Sequence, residues 1–179
     1  MKKSETTKQW WGRVSSSPEE INNWLKNQYH GEVTAAKRIA SLSSKYNLNK
    51  LQKRIINSII KDEIKHAKWI KDILIDRGIE AKVLKKEERY WDKVLPTEMT
   101  NDSFKYFCAV GHLAETMRLD RIEIIAEDKN YHSIGKVFKK IYNDEIFHAK
   151  AFGLMSSKKM ISKAQIHHNN GINAIGLLP

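Results

Sequence analysis

Two short segments of the chain place acidic residues and a histidine at the same spacing. Residues 62–68 read DEIKHAK and residues 144–150 read DEIFHAK, so the two copies differ at one position. Upstream of each copy, at nearly the same distance, lies a further glutamate, Glu32 or Glu115. Glu and His three residues apart lie on one face of a helix. Four carboxylates and two imidazoles that converge repel one another unless cations neutralise them, so the duplication predicts a two-metal site.

The hydrophobic pattern around these residues predicts the helices that hold them. Apolar residues recur every three or four positions in four segments, which run from Ile21 to Tyr46, Ile56 to Ile73, Phe104 to Ile125 and Ile134 to Met155. Charged residues at such positions are costly without a partner. All six proposed ligands nevertheless lie on the apolar stripes: Glu32, Glu63, His66, Glu115, Glu145 and His148. The pattern therefore predicts an all-α four-helix bundle with a metal site in its core.

The same ligand set carries a family resemblance. One Glu from each of two helices, with Glu-x-x-His from each of the other two, is typical of di-iron and di-manganese bundles. Over roughly residues 18–155 the chain resembles the ferritin-like di-metal carboxylate superfamily, in its rubrerythrin-like or small-hydroxylase branch. The resemblance implies that Glu63 and Glu145 bridge the metals. It assigns Glu32 and His66 to one metal, and Glu115 and His148 to the other.

Three further charged residues lie next to or along the ligand stripes. By resemblance, Asp62 and Asp144 orient the histidines of the facing helix and fix the tautomer that leaves the ligating nitrogen free. Arg118 follows Glu115 by three residues and lies on the same apolar stripe. It either pairs with a carboxylate of the site or binds an acidic substrate, and pairing is the favoured interpretation.

Four other residues on the stripes have two interpretations each. Cys108 and Gly111 precede Glu115 by about two turns and one turn, and small residues there either leave a cavity for oxygen or substrate or permit close helix packing. Tyr29 and Tyr142 each precede a ligand glutamate by three residues. For both tyrosines a redox role competes with simple aromatic packing, which is the more common role in helical bundles.

Carboxylate-rich ligands suit iron or manganese better than zinc or copper. We therefore expect two iron ions, with manganese or a mixed manganese–iron pair as the alternative. The predicted activity is that of a non-haem di-iron oxidoreductase that uses dioxygen or peroxide. It is most simply a monooxygenase that hydroxylates an unknown organic substrate, with electrons from an external donor.

The resemblance leaves the branch open. His30-Gly31-Glu32 followed by Arg38-Ile39 is similar to the first-helix signature of demethoxyubiquinone hydroxylases, but their apolar membrane-docking surface is not evident. Size and positive charge are similar to the small tRNA hydroxylases. A rubrerythrin-like peroxidase or a ferroxidase is a second class, and a scaffold without turnover is a third. The intact ligand set argues against the scaffold.

Composition limits the partners and the compartment. The net charge of +11 suits tRNA or another RNA as a partner, but the lysines are spread over the whole chain, which favours an ordinary solvated surface. The single cysteine excludes an internal disulfide and is consistent with a reducing compartment. Because no apolar run resembles a secretory signal or a membrane span, we expect a cytoplasmic protein.

The segments between the stripes predict how the bundle is connected. We expect one domain over residues 1–179, with an N-terminal arm at 1–16, the bundle at 18–155, and a C-terminal helix and tail at 157–179. The tryptophan side chains of the arm, Trp10 and Trp11, should pack against the bundle. The apolar end of the tail should dock on the bundle or on a second subunit, so that a homodimer is an alternative to a monomer.

Helix-capping and helix-terminating residues predict where the helices begin and end. Ser17 and Pro18 mark the start of the first bundle helix, and Gly78 marks the end of the second. Residues 79–100 then form a long crossover between the second and third helices, with a short helix over 87–94. The additional C-terminal helix is expected to end at Gly171.

Overall fold

The computed structural model describes residues 5–95 and 103–176. All regular secondary structure within these ranges is helical, so the predicted all-α class is confirmed. The elements are α1 (Thr7–Ser15), α2 (Pro18–Ser43), α3 (Lys50–Asp76), α4 (Trp91–Val94), α5 (Ser103–Glu127), a 3₁₀ turn (Lys129–Tyr131), α6 (His132–Met155) and α7 (Lys158–Ala174). Helices α2, α3, α5 and α6 form the four-helix bundle, and a long crossover joins α3 to α5.

Local sequence explains where the bundle helices begin and end. The Ser17 side chain accepts a hydrogen bond from a backbone N–H three residues on, at 3.4 Å, and Pro18 occupies the first helical position. Asn49 and Gln52 cap α3 reciprocally, at 2.9 and 3.0 Å. Gly78 adopts a φ of 70°, which stops α3 at the predicted place.

The bundle is made of two helix pairs. Helix α2 packs mainly on α3, α5 packs mainly on α6, and α3 meets α6 across the interior. The largest fully buried side chains on these helices are apolar: Phe138, Phe152, Ile21, Leu25, Ile56, Ile59, Ile70, Leu74, Ile122, Ile125, Ile134 and Ile141. Removing this surface from water drives the four stripes together. The charged ligand residues on the same stripes are thereby carried into the interior.

The N-terminal arm is a helix that packs on the bundle. Trp11 is 4% exposed, and its Nε1 donates a hydrogen bond to Asp128 Oδ2 at 2.7 Å. Its ring meets Trp24 of α2 edge-on, with centroids 5.2 Å apart. A buried indole whose N–H is hydrogen-bonded stabilises the packing of its helix, so α1 is fixed against the bundle.

The predicted end of the C-terminal helix is wrong. Helix α7 continues through Gly171 to Ala174, and the left-handed glycine that follows it is Gly176, with a φ of 80°. A Cβ on Gly171 would lie 2.7 Å from Cδ2 of Tyr90. Gly171 is therefore required for close packing against the crossover. Of the predicted apolar tail, Ile172 is buried inside α7, and residues 177–179 lie outside the described residues.

The crossover is held against α2 by a buried histidine. The N–H of Leu84 donates to His30 Nδ1 at 3.1 Å, so Nε2 carries the proton and donates to Glu88 Oε1 at 2.7 Å. Arg38 donates to the other oxygen of Glu88 at 3.1 Å and stacks over the Trp91 ring at 4.1 Å. Residues 79–88 have no regular secondary structure, and the short helix predicted over 87–94 is confined to α4.

Within the described ranges, no helix combines the length and apolar character needed to cross a lipid bilayer.

Gly111 lies at a close contact between α5 and α6. A Cβ on this residue would lie 2.9 Å from both Cδ2 and Cγ of Phe152, whose side chain is 1% exposed. Nearby Cys108 is fully buried in the same apolar cluster. Of the two roles predicted for these small residues, the geometry supports close helix packing.

We expect the Gly111→Ala variant to be less stable than the Gly31→Ala variant by about 1–3 kcal/mol, the usual cost of overpacking. Both substitutions gain helix propensity. Gly31, on α2, has nothing within 4 Å of an added Cβ and therefore serves as the matched control. The free energy of unfolding in urea measures the difference. Equal stabilities would show that the Phe152 ring moves aside without cost.

Candidate metal centre

The six proposed ligands meet in the middle of the bundle, each from the helix on which the sequence placed it. Glu32 comes from α2, Glu115 from α5, and each of α3 and α6 supplies a Glu-x-x-His pair. The side chains are removed from water: Glu32, Glu63, His66, Glu145 and His148 are 0% exposed, and Glu115 is 8% exposed. A set of buried carboxylates of this size requires compensating positive charge.

The ligand atoms fall into two overlapping groups. One group joins Glu32, Glu63, His66 and Glu145, and the other joins Glu63, Glu115, Glu145 and His148. Within each group the candidate ligand atoms all lie within 4.8 Å of one another. Glu63 and Glu145 belong to both groups. Two adjacent cations that share two bridging carboxylates require this arrangement.

Each histidine directs Nδ1 into the cluster and Nε2 towards the facing helix. His66 Nδ1 lies 3.6 Å from oxygens of Glu32 and Glu145, and its Nε2 lies 3.0 Å from Asp144 Oδ2. His148 Nδ1 lies 2.9 Å from Glu145 Oε2, and its Nε2 lies 3.3 Å from Asp62 Oδ2. An N–H on Nε2 that donates to an aspartate leaves Nδ1 free to bind a metal.

Lys65 connects the two aspartates and was not identified from the sequence. Its Nζ lies 2.6 Å from Asp62 Oδ1 and 3.0 Å from Asp144 Oδ2. The only signal for it was the single mismatch in the repeat, where Lys65 stands opposite Phe147. One ammonium group thus supports both histidine-orienting acids across the interface of α3 and α6.

Arg118 enters the carboxylate cluster from α5. Its Nη2 donates to Glu32 Oε1, and its Nη1 lies 2.8 Å from Glu145 Oε1 and 4.0 Å from Glu63 Oε2. The structure therefore shows the pairing with site carboxylates that the sequence favoured. One fixed positive charge offsets part of the negative charge of the ligands.

The pKa values of the buried carboxylates and of His148 are shifted by burial and by the charges of one another. Burial, together with the neighbouring carboxylates, raises the pKa of Glu63 and of Glu115. Burial opposes the charged form of His148, but hydrogen bonds and charge from Glu145 and Glu63 prevail and raise its pKa to about 10. Burial opposes ionisation of Glu145 as well, but the charge of Arg118 and the hydrogen bond from His148 prevail and lower its pKa to about 2, so the carboxylates of the cluster do not all favour the protonated form.

The donor set fits a metal ion. Among the residues that the structure describes, five buried atoms of the cluster have no hydrogen-bond partner: Glu32 Oε2, both carboxylate oxygens of Glu63, His66 Nδ1 and Glu145 Oε1. All five lie within ion-pair distance, 4.0 Å or less, of an oppositely charged group of the cluster, but without hydrogen-bond geometry. Unpaired carboxylate oxygens beside an imidazole nitrogen suit iron or manganese.

The recorded contacts of the two tyrosines are with residues other than the proposed ligands. The Tyr142 hydroxyl donates to Glu123 Oε1 at 3.3 Å, at an exposed position. Tyr29 packs against the apolar cluster that contains Trp24 and Phe138. Both contacts are those of packing residues. The redox role considered for these tyrosines remains without structural support.

The sequence model of the family described as Rubrerythrin matches residues 23–156, which span all four bundle helices. The chain belongs to the rubrerythrin family. This is a family of ferritin-like di-iron carboxylate proteins with redox functions, in agreement with the resemblance carried by the ligands. Neither the search of curated proteins nor the search of solved structures gave a match.

In this rubrerythrin-family chain the ligand cluster adjoins a cavity of about 560 Å³ between α2, α5 and the crossover. Glu115 and Arg118 line its inner end. The crossover contributes Lys86 to Trp91, so its aromatic residues contact the cavity as well as anchoring the loop. Nothing in the local sequence shows which side of a loop faces a cavity, so only the structure places Tyr90 and Trp91 beside it.

We expect Asp62→Asn and Asp144→Asn each to weaken metal affinity by roughly 10- to 100-fold, the usual loss when the partner of a ligating histidine is removed. An amide in place of the carboxylate no longer holds the Nε2 proton in position, so Nδ1 is less well prepared for the metal. Competition with a chelator measures the affinity. Asp72→Asn is the control, because Asp72 is exposed on the same helix as Asp62. Unchanged affinity would show that the aspartates are only solvated neighbours.

Proposed function

We propose that the chain is a non-haem di-iron oxidoreductase that uses dioxygen or peroxide, most simply to hydroxylate an organic substrate. The observation that supports this best is the pair of overlapping ligand groups that share Glu63 and Glu145. Glu32 and His66 would hold one iron, and Glu115 and His148 the other. A manganese pair or a mixed manganese–iron pair fits the same ligands. Two reduced irons held by these residues would supply electrons for reduction of the oxidant.

The protein around the ligands is suited to this role. Asp62 and Asp144 hold the histidine protons at Nε2, and Lys65 holds both acids in place. Arg118 limits the negative charge of the cluster at its border with the cavity. The apolar core on the remaining sides excludes water from the site.

The cavity supports a substrate oxidation over simple iron storage. Its volume of about 560 Å³ lies within the range of small-molecule sites, and it reaches the ligand residue Glu115. Hydroxylation of a C–H bond by dioxygen consumes two electrons and two protons in addition, and releases water. Because the chain has one cysteine, Cys108, it offers no cysteine-ligated cluster for those electrons, so we propose an external electron donor.

Oxidant consumption tests the proposal. After anaerobic loading with ferrous iron, the full-length chain should consume oxygen or peroxide in a single turnover, measured with an oxygen electrode and a peroxide assay. Faster reaction with peroxide than with oxygen would identify a peroxidase. Iron uptake far beyond two ions per chain would identify a ferroxidase. A loaded chain that is inert to both oxidants would overturn the enzyme proposal.

The surface charge motivates a separate measurement. A net charge of +11 suits a tRNA substrate, and binding to phosphates through counterion release weakens steeply as salt increases. Binding to bulk tRNA at several salt concentrations would test this alternative. Absent or salt-independent binding would favour a small-molecule substrate.

A further inference from the structure

Basic side chains outnumber acidic ones around the cavity beside Glu115. Five basic residues line it, Arg38, Lys86, Arg89, Arg118 and Arg121, against Glu87, Glu88 and Glu115. Two of the guanidinium groups are already paired, since Arg38 binds Glu88 and Arg118 binds the ligand carboxylates. Three cations remain, Lys86, Arg89 and Arg121, against Glu87 and Glu115, so the lining keeps a small excess of positive charge.

Of these three cations Lys86 and Arg89 are exposed, whereas Arg121 is half-buried. Among the residues that the structure describes, no acidic side chain lies within 4.0 Å of its guanidinium, whose recorded contact is the face of Trp10 at 5.2 Å. Burial lowers the pKa of Arg121. A guanidinium nevertheless stays charged at neutral pH, so an anion bound to it would offset part of the cost of its partial burial.

Arg121 stands where two cavities meet. A second cavity, of about 760 Å³, extends to the exposed pair of Arg13 and Glu20 and shares eight lining residues with the first, among them Trp10, Trp24, Lys86, Arg89 and Arg121. The guanidinium therefore borders both the outer space and the space that ends at the metal ligands. The indoles of Trp10 and Trp24 provide an apolar, aromatic wall beside it.

We infer that the cavity binds an organic anion, a carboxylate or a phosphate monoester, with an apolar or aromatic body. Arg121 forms a bidentate pair with the acidic group, which guanidinium geometry favours for both anions. The body of the ligand lies along the indoles towards Glu115. Arg121 follows Glu115 by six residues on α5, so about 9 Å of helix rise separates the two backbone positions. That this anion is the substrate rests on the proposed function, whereas its binding does not.

Calorimetric titration of the full-length chain tests the inference with defined probes. The carboxylate probe is 4-phenylbutyrate, its uncharged match is 4-phenylbutyramide, and phenyl phosphate is the phosphate probe. We expect at least one of the two anions to bind about tenfold or more tightly than the amide. Arg121→Gln should remove that preference and Arg121→Lys should retain much of it. Arg54→Gln, at an exposed position on α3, should leave it unchanged.

Equal affinities for anions and amide in the wild-type chain would overturn the inference, and this comparison needs no variant to fold. An anion preference that persists in Arg121→Gln would also overturn it. Failure of the proposed function is separate, because the titration involves no turnover. A chain that prefers anions but is inert to both oxidants contradicts only the proposed activity. A chain that consumes oxidant without preferring anions contradicts only this inference.

Discussion

Replacing Glu63 or Glu145 with glutamine is expected to reduce the metal content from two ions per chain to near zero. Each of these carboxylates belongs to both ligand groups, so its loss removes an oxygen ligand from both metal positions at once. The neutral amide also removes one negative charge that the two cations require. Elemental analysis after anaerobic ferrous loading and gel filtration measures the content.

The control for this measurement is Glu123→Gln, an exposed carboxylate on α5, which should retain two ions. Retention of one ion in either bridging variant would contradict shared ligation and indicate two independent sites. Zero or one ion in a carefully loaded wild-type chain would contradict the site assignment itself.

Replacing either His66 or His148 with alanine is expected to abolish oxidant consumption. Each metal position has one imidazole, and two-electron reduction requires both positions to be occupied. The substitution also leaves an aspartate of the facing helix without the N–H that it accepts. The oxygen electrode and the peroxide assay measure the effect in single-turnover experiments.

Here the matched control is His132→Ala, an exposed histidine at the start of α6, which should react like the wild-type chain. Full activity in either His66→Ala or His148→Ala would show that one metal position is dispensable, and would contradict a cooperative di-metal mechanism.

Rules that depend on neighbouring residues, helix periodicity and helix capping, were sufficient to predict most of the bundle helices. Helix period depends on neighbours three and four residues away, so the positions of Glu63 and His66 on one buried face followed from spacing alone. Caps and stops act within a few residues, which is why the start at Pro18 and the stop at Gly78 were predictable. The duplication identified the ligand residues before any packing was known.

The glycine in α7 shows where local rules fail. Gly171 was expected to end the helix, because glycine is the usual left-handed stop. The ring of Tyr90, about eighty positions earlier in the chain, instead occupies the space that a side chain there would need. A long-range contact therefore determined the role of that glycine, and no signal near residue 171 records it.

The sequence by itself determined the helices, the candidate ligand residues and the di-iron carboxylate family, since these depend on periodicity and on repeated side-chain types. Only the tertiary structure decided which groups surround the ligands. Lys65 bridges two helices, Arg118 enters the cluster, and Arg121 faces a cavity closed by the crossover. Each of these placements depends on how helices distant in the chain pack together, and side-chain packing of that kind leaves no periodic pattern in the sequence.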